Sequence, residues 1–351
     1  MRRVLAAVVV GFTPWLAQAA DSIRVYNWND YIDPSVLADF QRETGIEVQY
    51  VTYSTTEEIT KALHSDEAID VAIAPHNLLT SLRQNERIVP LDFDQLPNRV
   101  HLDRELLAKQ AITDPGNQYA IPYLWSAVGI ALNVPQAEAA YGGPLPESWG
   151  LLYDNEINQR LASCGISLID APDELYSGLL NYQGHRYSRS TERRLARATE
   201  TLMELRPHLR YIDSERYIDD LNNGKLCAAL AWSGDALVAA DAGQPVRFII
   251  PEEGSALGID NMTIPVTSTK QDLAYRFINY MMQPQVAAKI SSATFYASGN
   301  HSAKEFLSPE LQNNPAMFPD THTKRRLALL ESLPPKLEQA LANNWEKVLA
   351  Q

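Results

Sequence analysis

Apolar and polar positions along the first part of the chain switch repeatedly between a period of two and a helical period. Ile23-Arg24-Val25-Tyr26-Asn27-Trp28 predicts a strand, followed by a break at Asn29-Asp30. Val36, Leu37 and Phe40 then share one helical face. Asp33 suits the N-cap, Pro34 the first helical position, and Gly45 the left-handed residue that ends a helix. Ile46, Val48 and Tyr50 return to strand alternation. Thr55 and Glu58 have the spacing of a capping box for a helix through Leu63, and Asp70 to Ala74 reads as a buried strand. This β-α-β-α-β order predicts a mostly parallel sheet covered by helices, the α/β class.

The pattern then repeats at larger scale. A turn at Asp114-Pro115-Gly116-Asn117 precedes an extended stretch from Tyr119 to Asn133, and Gly142 to Trp149 is rich in Gly and Pro. Strands are predicted near Gly165–Ile169, Cys227–Trp232, Phe248–Pro251 and Asn261–Pro265. Helices are predicted around Ser190–Leu205, over Lys270–Met282 with Pro284 as its stop, and over Pro335–Ala350. Two α/β units without a flexible linker predict a two-lobed protein with a cleft.

Composition narrows the partners. The 351 residues carry 43 acidic and 30 basic side chains, a net charge of -13, which disfavours nucleic acid and anionic membranes as partners. Arg2 and Arg3, the apolar run Val4–Val10 and the small residues through Ala20 predict a secretory signal over 1–19, cleaved after Ala19 or alternatively Ala20. No cysteine follows the site, so the expected product is a free periplasmic protein. In an oxidising compartment the even pair Cys164 and Cys227 fits either a disulfide or two buried thiols.

The chain shows no nucleophile elbow, phosphate loop or zinc motif, so neither an enzyme nor a cofactor or metal site is expected. His76 is expected in a solvated loop, and the pairs Asp219-Asp220 and Glu252-Glu253 on the exposed surface. More informative are places where aromatics and carboxylates meet in irregular stretches: Trp28-Asn29-Asp30-Tyr31, Asp170 to Glu174, Trp232-Ser233-Gly234-Asp235, Asp260 and Tyr296. Rings that cover methylenes and attract ammonium groups, beside carboxylates that pair their charge, suit an organic cation. Ligands in α/β sheets lie beyond the carboxyl ends of strands, where these clusters fall.

Those same stretches, together with Glu43-Thr44-Gly45-Ile46, Leu168 to Pro172 and Phe295-Tyr296-Ala297, give the chain a resemblance to a known family. It resembles the periplasmic putrescine- and spermidine-binding proteins of bacterial ABC transporters over nearly its whole mature length. The resemblance implies a type II, venus-flytrap fold with lobes of 21–124 plus 260–298 and of 125–259 plus 299–351. It implies a monomer that holds a polyamine, delivers it to an inner-membrane permease and is not an enzyme. Carried over by position, Trp28, Tyr31, Trp232 and Tyr296 are stacking aromatics. Asp30, Glu174, Asp235 and Asp260 are ammonium-binding carboxylates, Asn29 and Ser214 line the site, and Cys164 pairs with Cys227. The chain departs from the family at Ala74-Pro75-His76-Asn77, where a serine contact is missing, and at Gly258, where an aromatic is usual. A short diamine is the expected ligand. The alternatives are an amino acid or acylated polyamine, or a polyamine-sensing role.

Overall fold

Local signals place the first elements. In the computed structural model, which describes residues 21–351, the Asp33 carboxylate accepts from the Ser35 backbone at 2.8 Å and starts the helix Pro34–Thr44. Gly45 ends that helix at φ 74°, a left-handed conformation that spares it the Cβ clash other residues would meet. Thr55 and Glu58 form both halves of the capping box for Thr56–His64. The expected signal segment and its cleavage site lie outside the described residues.

The strands β1 (Ser22–Trp28), β2 (Glu47–Tyr53) and β3 (Val71–Pro75) pair in parallel, with β1 in the middle. Beyond them the sheet is mixed rather than mostly parallel. The other strands are β4 (Ile121–Asn133), β5 (Ile166–Leu168), β6 (Tyr211–Ile212), β7 (Ala228–Trp232), β8 (Val246–Ile249), β9 (Ser255–Thr263), β10 (Ala297–Ser298) and β11 (Leu327–Leu329). β9 lies antiparallel between β3 and β4. Its pairing partners come from distant parts of the chain, so the local β-α-β order does not reveal it. β9 also begins six residues earlier than its pattern predicts. Gly258 and Asp260 interrupt the apolar run, and pairing on both edges overrides that poor strand propensity. Pro284, expected only as a helix stop, also opens a second helix, Pro284–Thr294, at the position where its missing N–H is harmless.

β4 is buried along all thirteen residues because it serves two cores. Ile121–Ala127 pair with β9, while Val128–Asn133 pair with β7 and β8. One core draws on residues from 128 to 256 and from 330 to 348 around Trp149, Tyr176 and Tyr217. Another draws on 23–124 and 262–290 around Phe40 and Phe277. A junctional cluster holds Trp125, Ala127, Leu257, Ile259 and Ala297, together with Ala303, Leu307, Ala316 and Met317. Two lobes therefore share strands that run from one core into the other. A Cys164–Cys227 disulfide ties the start of β5 to the start of β7.

Two surface expectations are corrected. Asp220 is buried, 4% exposed, because Arg216, Lys225 and Tyr211 all reach its carboxylate. His76 is likewise buried rather than in a solvated loop: it opens the helix His76–Gln84, and both ring nitrogens have backbone partners. Among the described residues no helix is long and apolar enough to cross a membrane.

Candidate binding site between the lobes

The site is built where strands end. β1 stops at Trp28, and the turn that follows brings Tyr31 back over the strand end. The Trp28 indole donates to Asp260 Oδ1 at 2.9 Å and the Tyr31 hydroxyl donates to Oδ2 at 2.8 Å. Asp260 lies on β9, 232 positions from Trp28. The Trp28 ring packs 4.4 Å from the Tyr53 ring, and Tyr31 meets Tyr296 edge-on at 4.9 Å.

On the other side, β7 ends at Trp232 and the helix Ser233–Asp241 begins. Asp235 sits in its first turn, where the helix dipole favours an anion. Its carboxylate accepts from Tyr296 Oη at 2.7 Å and from the Tyr217 hydroxyl. Gly234 permits this contact. A Cβ at that position would stand 2.2 Å from the Tyr296 ring, so only glycine lets the helix and the ring approach so closely. Through Tyr31 and Tyr296, the Asp260 and Asp235 groups form one connected set.

The helix Pro172–Tyr182 presents Asp173 and Glu174 in its first turn. The Tyr187 hydroxyl donates to Asp173, whereas Glu174 has no side-chain donor among the described residues. Desolvation lifts the Glu174 carboxyl to a pKa of about 8, reinforced by the charges of Asp173 and Asp260. Desolvation likewise lifts Asp260 to about 6 against its Tyr31 and Trp28 hydrogen bonds, and raises Asp235 and Asp173. Among the described residues none of the four has a Lys, Arg or His partner. Carboxylates concentrated in this way beside aromatic faces, and lacking a protein cation, have the chemistry of a receptor for an organic cation.

The expected site residues fall into two groups. Trp28, Tyr31, Asp235, Asp260 and Tyr296 are joined by direct contacts, and Glu174 feels the charge of Asp260. Trp232 is half-buried at the end of β7, against the core around Trp149. Asn29 and Asp30 are exposed at the rim. Asn29 donates to Ser54 Oγ at 2.5 Å, and Asp30 takes a left-handed φ of 52°. Ser214 accepts from the Asp170 backbone at 2.9 Å, and Asp170 in turn accepts from the Trp345 indole. Sequence reasoning missed Tyr217, Tyr53, Tyr187 and the part played by Asp173. Tyrosines inside ordinary helix and strand patterns carry no signal of their own. Asp173 does stand beside Glu174, and that adjacency was the available clue.

Two α/β lobes sharing crossing strands, with an acidic and aromatic site at the strand ends, define a solute-binding protein. The chain belongs to the bacterial extracellular solute-binding protein family, whose profile matches residues 35–319. It is 36% identical over 353 residues to the putrescine-binding periplasmic protein PotF of Escherichia coli, covering 98% of this chain and 95% of that one. It is 33% identical to the putrescine-binding periplasmic protein SpuD of Pseudomonas aeruginosa, covering 99% of this chain and 97% of that one. Among solved structures it is similar to the spermidine/putrescine transporter substrate-binding protein PotD of Streptococcus pneumoniae. The TM-score is 0.82 at 28% identity, covering 94% of this chain and 98% of that one. These relatives are solute-binding proteins, not enzymes.

Proposed function

We propose that this chain captures putrescine or a closely related polyamine in the periplasm and hands it to an inner-membrane ABC permease. One observation carries the reading: among the described residues Asp235, Asp260 and Glu174 are desolvated carboxylates without a protein cation, and two of them are held only by neutral aromatic donors. A diamine supplies the missing charges, and its methylenes suit the faces of Trp28, Tyr31, Trp232 and Tyr296. Asp30 and Asn29 complete the rim, and Ser214 lines the opposite wall. Residues 21–124 with 260–298 form one lobe, and 125–259 with 299–351 the other. Ligand contacts made only when the lobes meet drive closure, because a ligand shifts an equilibrium only by binding one state better. The protein is exported by the signal over residues 1–19 and acts as a monomer.

A larger amine is the second reading, and Gly258 favours it. A Cβ there would meet only Ser126 Oγ, at 3.7 Å, which leaves room beside Asp260 for a substituent that putrescine lacks. Competition of acylated and longer amines against labelled putrescine separates the two readings. The transport role is tested by uptake of labelled putrescine in cells with and without this chain. Uptake lost on deletion and restored by the chain supports delivery; unchanged uptake with a lost polyamine response assigns a sensing role instead.

A further inference from the structure

His76 stands where one edge of β9 changes partner. Along that edge β3 pairs with Asp260–Thr263 and β11 pairs with Ser255–Leu257. The opposite edge is covered by β4 from Leu257 to Met262. Gly258 and Ile259 are left between the two partners, because the chain turns from β3 into a helix at His76. The imidazole fills the gap. The Ile259 N–H donates to Nδ1 at 3.3 Å, and Nε2 lies 3.0 Å from the Leu330 carbonyl. A single neutral tautomer, with its proton on Nε2, satisfies both contacts. A charged ring would set a second donor against the Ile259 N–H. The ring is 6% exposed, and burial lowers its pKa to about 4, which keeps it neutral near pH 7.

We propose that His76 is a positioning residue that splices β3, β9 and the segment after β11 into one continuous edge across the junction of the lobes. Leu330 packs in the core built from 128–256, whereas the helix that His76 opens packs against β3 and Tyr53. His76, carried by the lobe of β3, therefore bonds through its ring to two peptides of the other lobe, Leu330 and the Gly258–Ile259 peptide that lies one residue short of Asp260. The inference rests on the reading of the cleft as the ligand site. Its first readout, however, needs no ligand.

Spin labels on the helices Pro34–Thr44 and Glu192–Leu205 report the lobe separation of the ligand-free protein by pulsed electron resonance. His76→Ala is expected to broaden that distribution. His76→Gln, which keeps a donor for Leu330, is expected to restore the original width. His76→Asn keeps an acceptor for Ile259, so it should recover most of the roughly tenfold loss in putrescine affinity expected of the alanine variant, as befits one buried hydrogen bond left unmade. A folded His76→Ala protein with the wild-type distribution overturns the proposal, as does a glutamine variant as broad as alanine. Nitrogen NMR of the unaltered protein gives a test that no variant can confound. The Nε2–H tautomer at pH 7 is expected, and an Nδ1–H or charged ring overturns the proposal. Failure of wild-type protein to bind putrescine would count against the polyamine reading and leave the hinge readouts standing.

Discussion

Asp260 and Asp235 are each held by two neutral donors, and for each carboxylate the dominant influence on its pKa is desolvation rather than a neighbouring cation. Among the described residues no protein cation meets their charge, and on the proposed reading the ligand does. Asp260→Asn and Asp235→Asn are each expected to weaken putrescine binding roughly 10- to 100-fold, the usual size of a hydrogen bond to a charged group. Asp219→Asn, an exposed change, should leave the affinity within about twofold. Titration calorimetry of the three variants checks this. Glu174 sets the pH dependence. Its carboxyl, with a pKa of about 8, is largely protonated at pH 7 in the empty protein, and a bound ammonium drives the proton off. Binding should release protons near pH 7 and tighten as pH rises from about 6.5 toward 8. Calorimetry in buffers of differing ionisation enthalpy reads the proton count. Folding stability of the empty protein has the opposite sign. Between pH 6.5 and 8 folded Glu174 holds most of a proton that the unfolded chain lacks, and this outweighs the fraction of a proton that unfolded His76, with its usual pKa near 6.5, still binds below about pH 7.5. Melting temperature should therefore fall between pH 6.5 and 8, and Glu174→Gln should flatten that slope.

The helix Ser233–Asp241 and β9 are the elements on which the site depends. Gly234→Ala places a methyl 2.2 Å from the Tyr296 ring, an overpacking that costs about 1–3 kcal/mol and pulls a donor away from Asp235. Thermal denaturation and putrescine affinity should fall together. The Cys164–Cys227 bond braces β5 against β7 at their starts, and the helices that carry Glu174 and Asp235 follow the other ends of these strands. Replacing both cysteines by serine should lower stability by about 2–4 kcal/mol in denaturant unfolding. At this scale the sequence was legible wherever a signal is local. The Asp33 cap, the Gly45 stop and the Thr55–Glu58 box lie within a few residues of what they control. β9 was half-legible, because partners far along the chain impose extended structure on Ser255–Asp260. The burial of Asp220 and His76 is illegible in the sequence for the same reason: Tyr211, Lys225, Ile259 and Leu330 reach them only after folding. The aromatic and acidic clusters were visible as residue types, but the pairing of Trp28 with Asp260 was not.

Two cores are joined by shared strands, and the proposed closure bends the molecule at these strands without breaking its sheets. β4 and β9 cross the junction with Trp125 and Ile259 in a cluster of their own, which leaves each lobe with a separately packed core. Adding putrescine should shrink the radius of gyration in solution scattering, and Asp260→Asn should blunt the contraction at equal ligand concentration. The excess of acidic residues attracts amines only weakly over distance, because salt screens it within about 8 Å at physiological ionic strength. On the proposed reading, recognition rests on the few half-buried, desolvated carboxylates. The most direct measurement is titration calorimetry of the mature protein at pH 8 against putrescine, spermidine, cadaverine and agmatine. At least one should bind with micromolar or tighter affinity, about 8 kcal/mol or more. A protein that binds none of the four below about 100 μM, where only about 5.5 kcal/mol is required, contradicts polyamine capture.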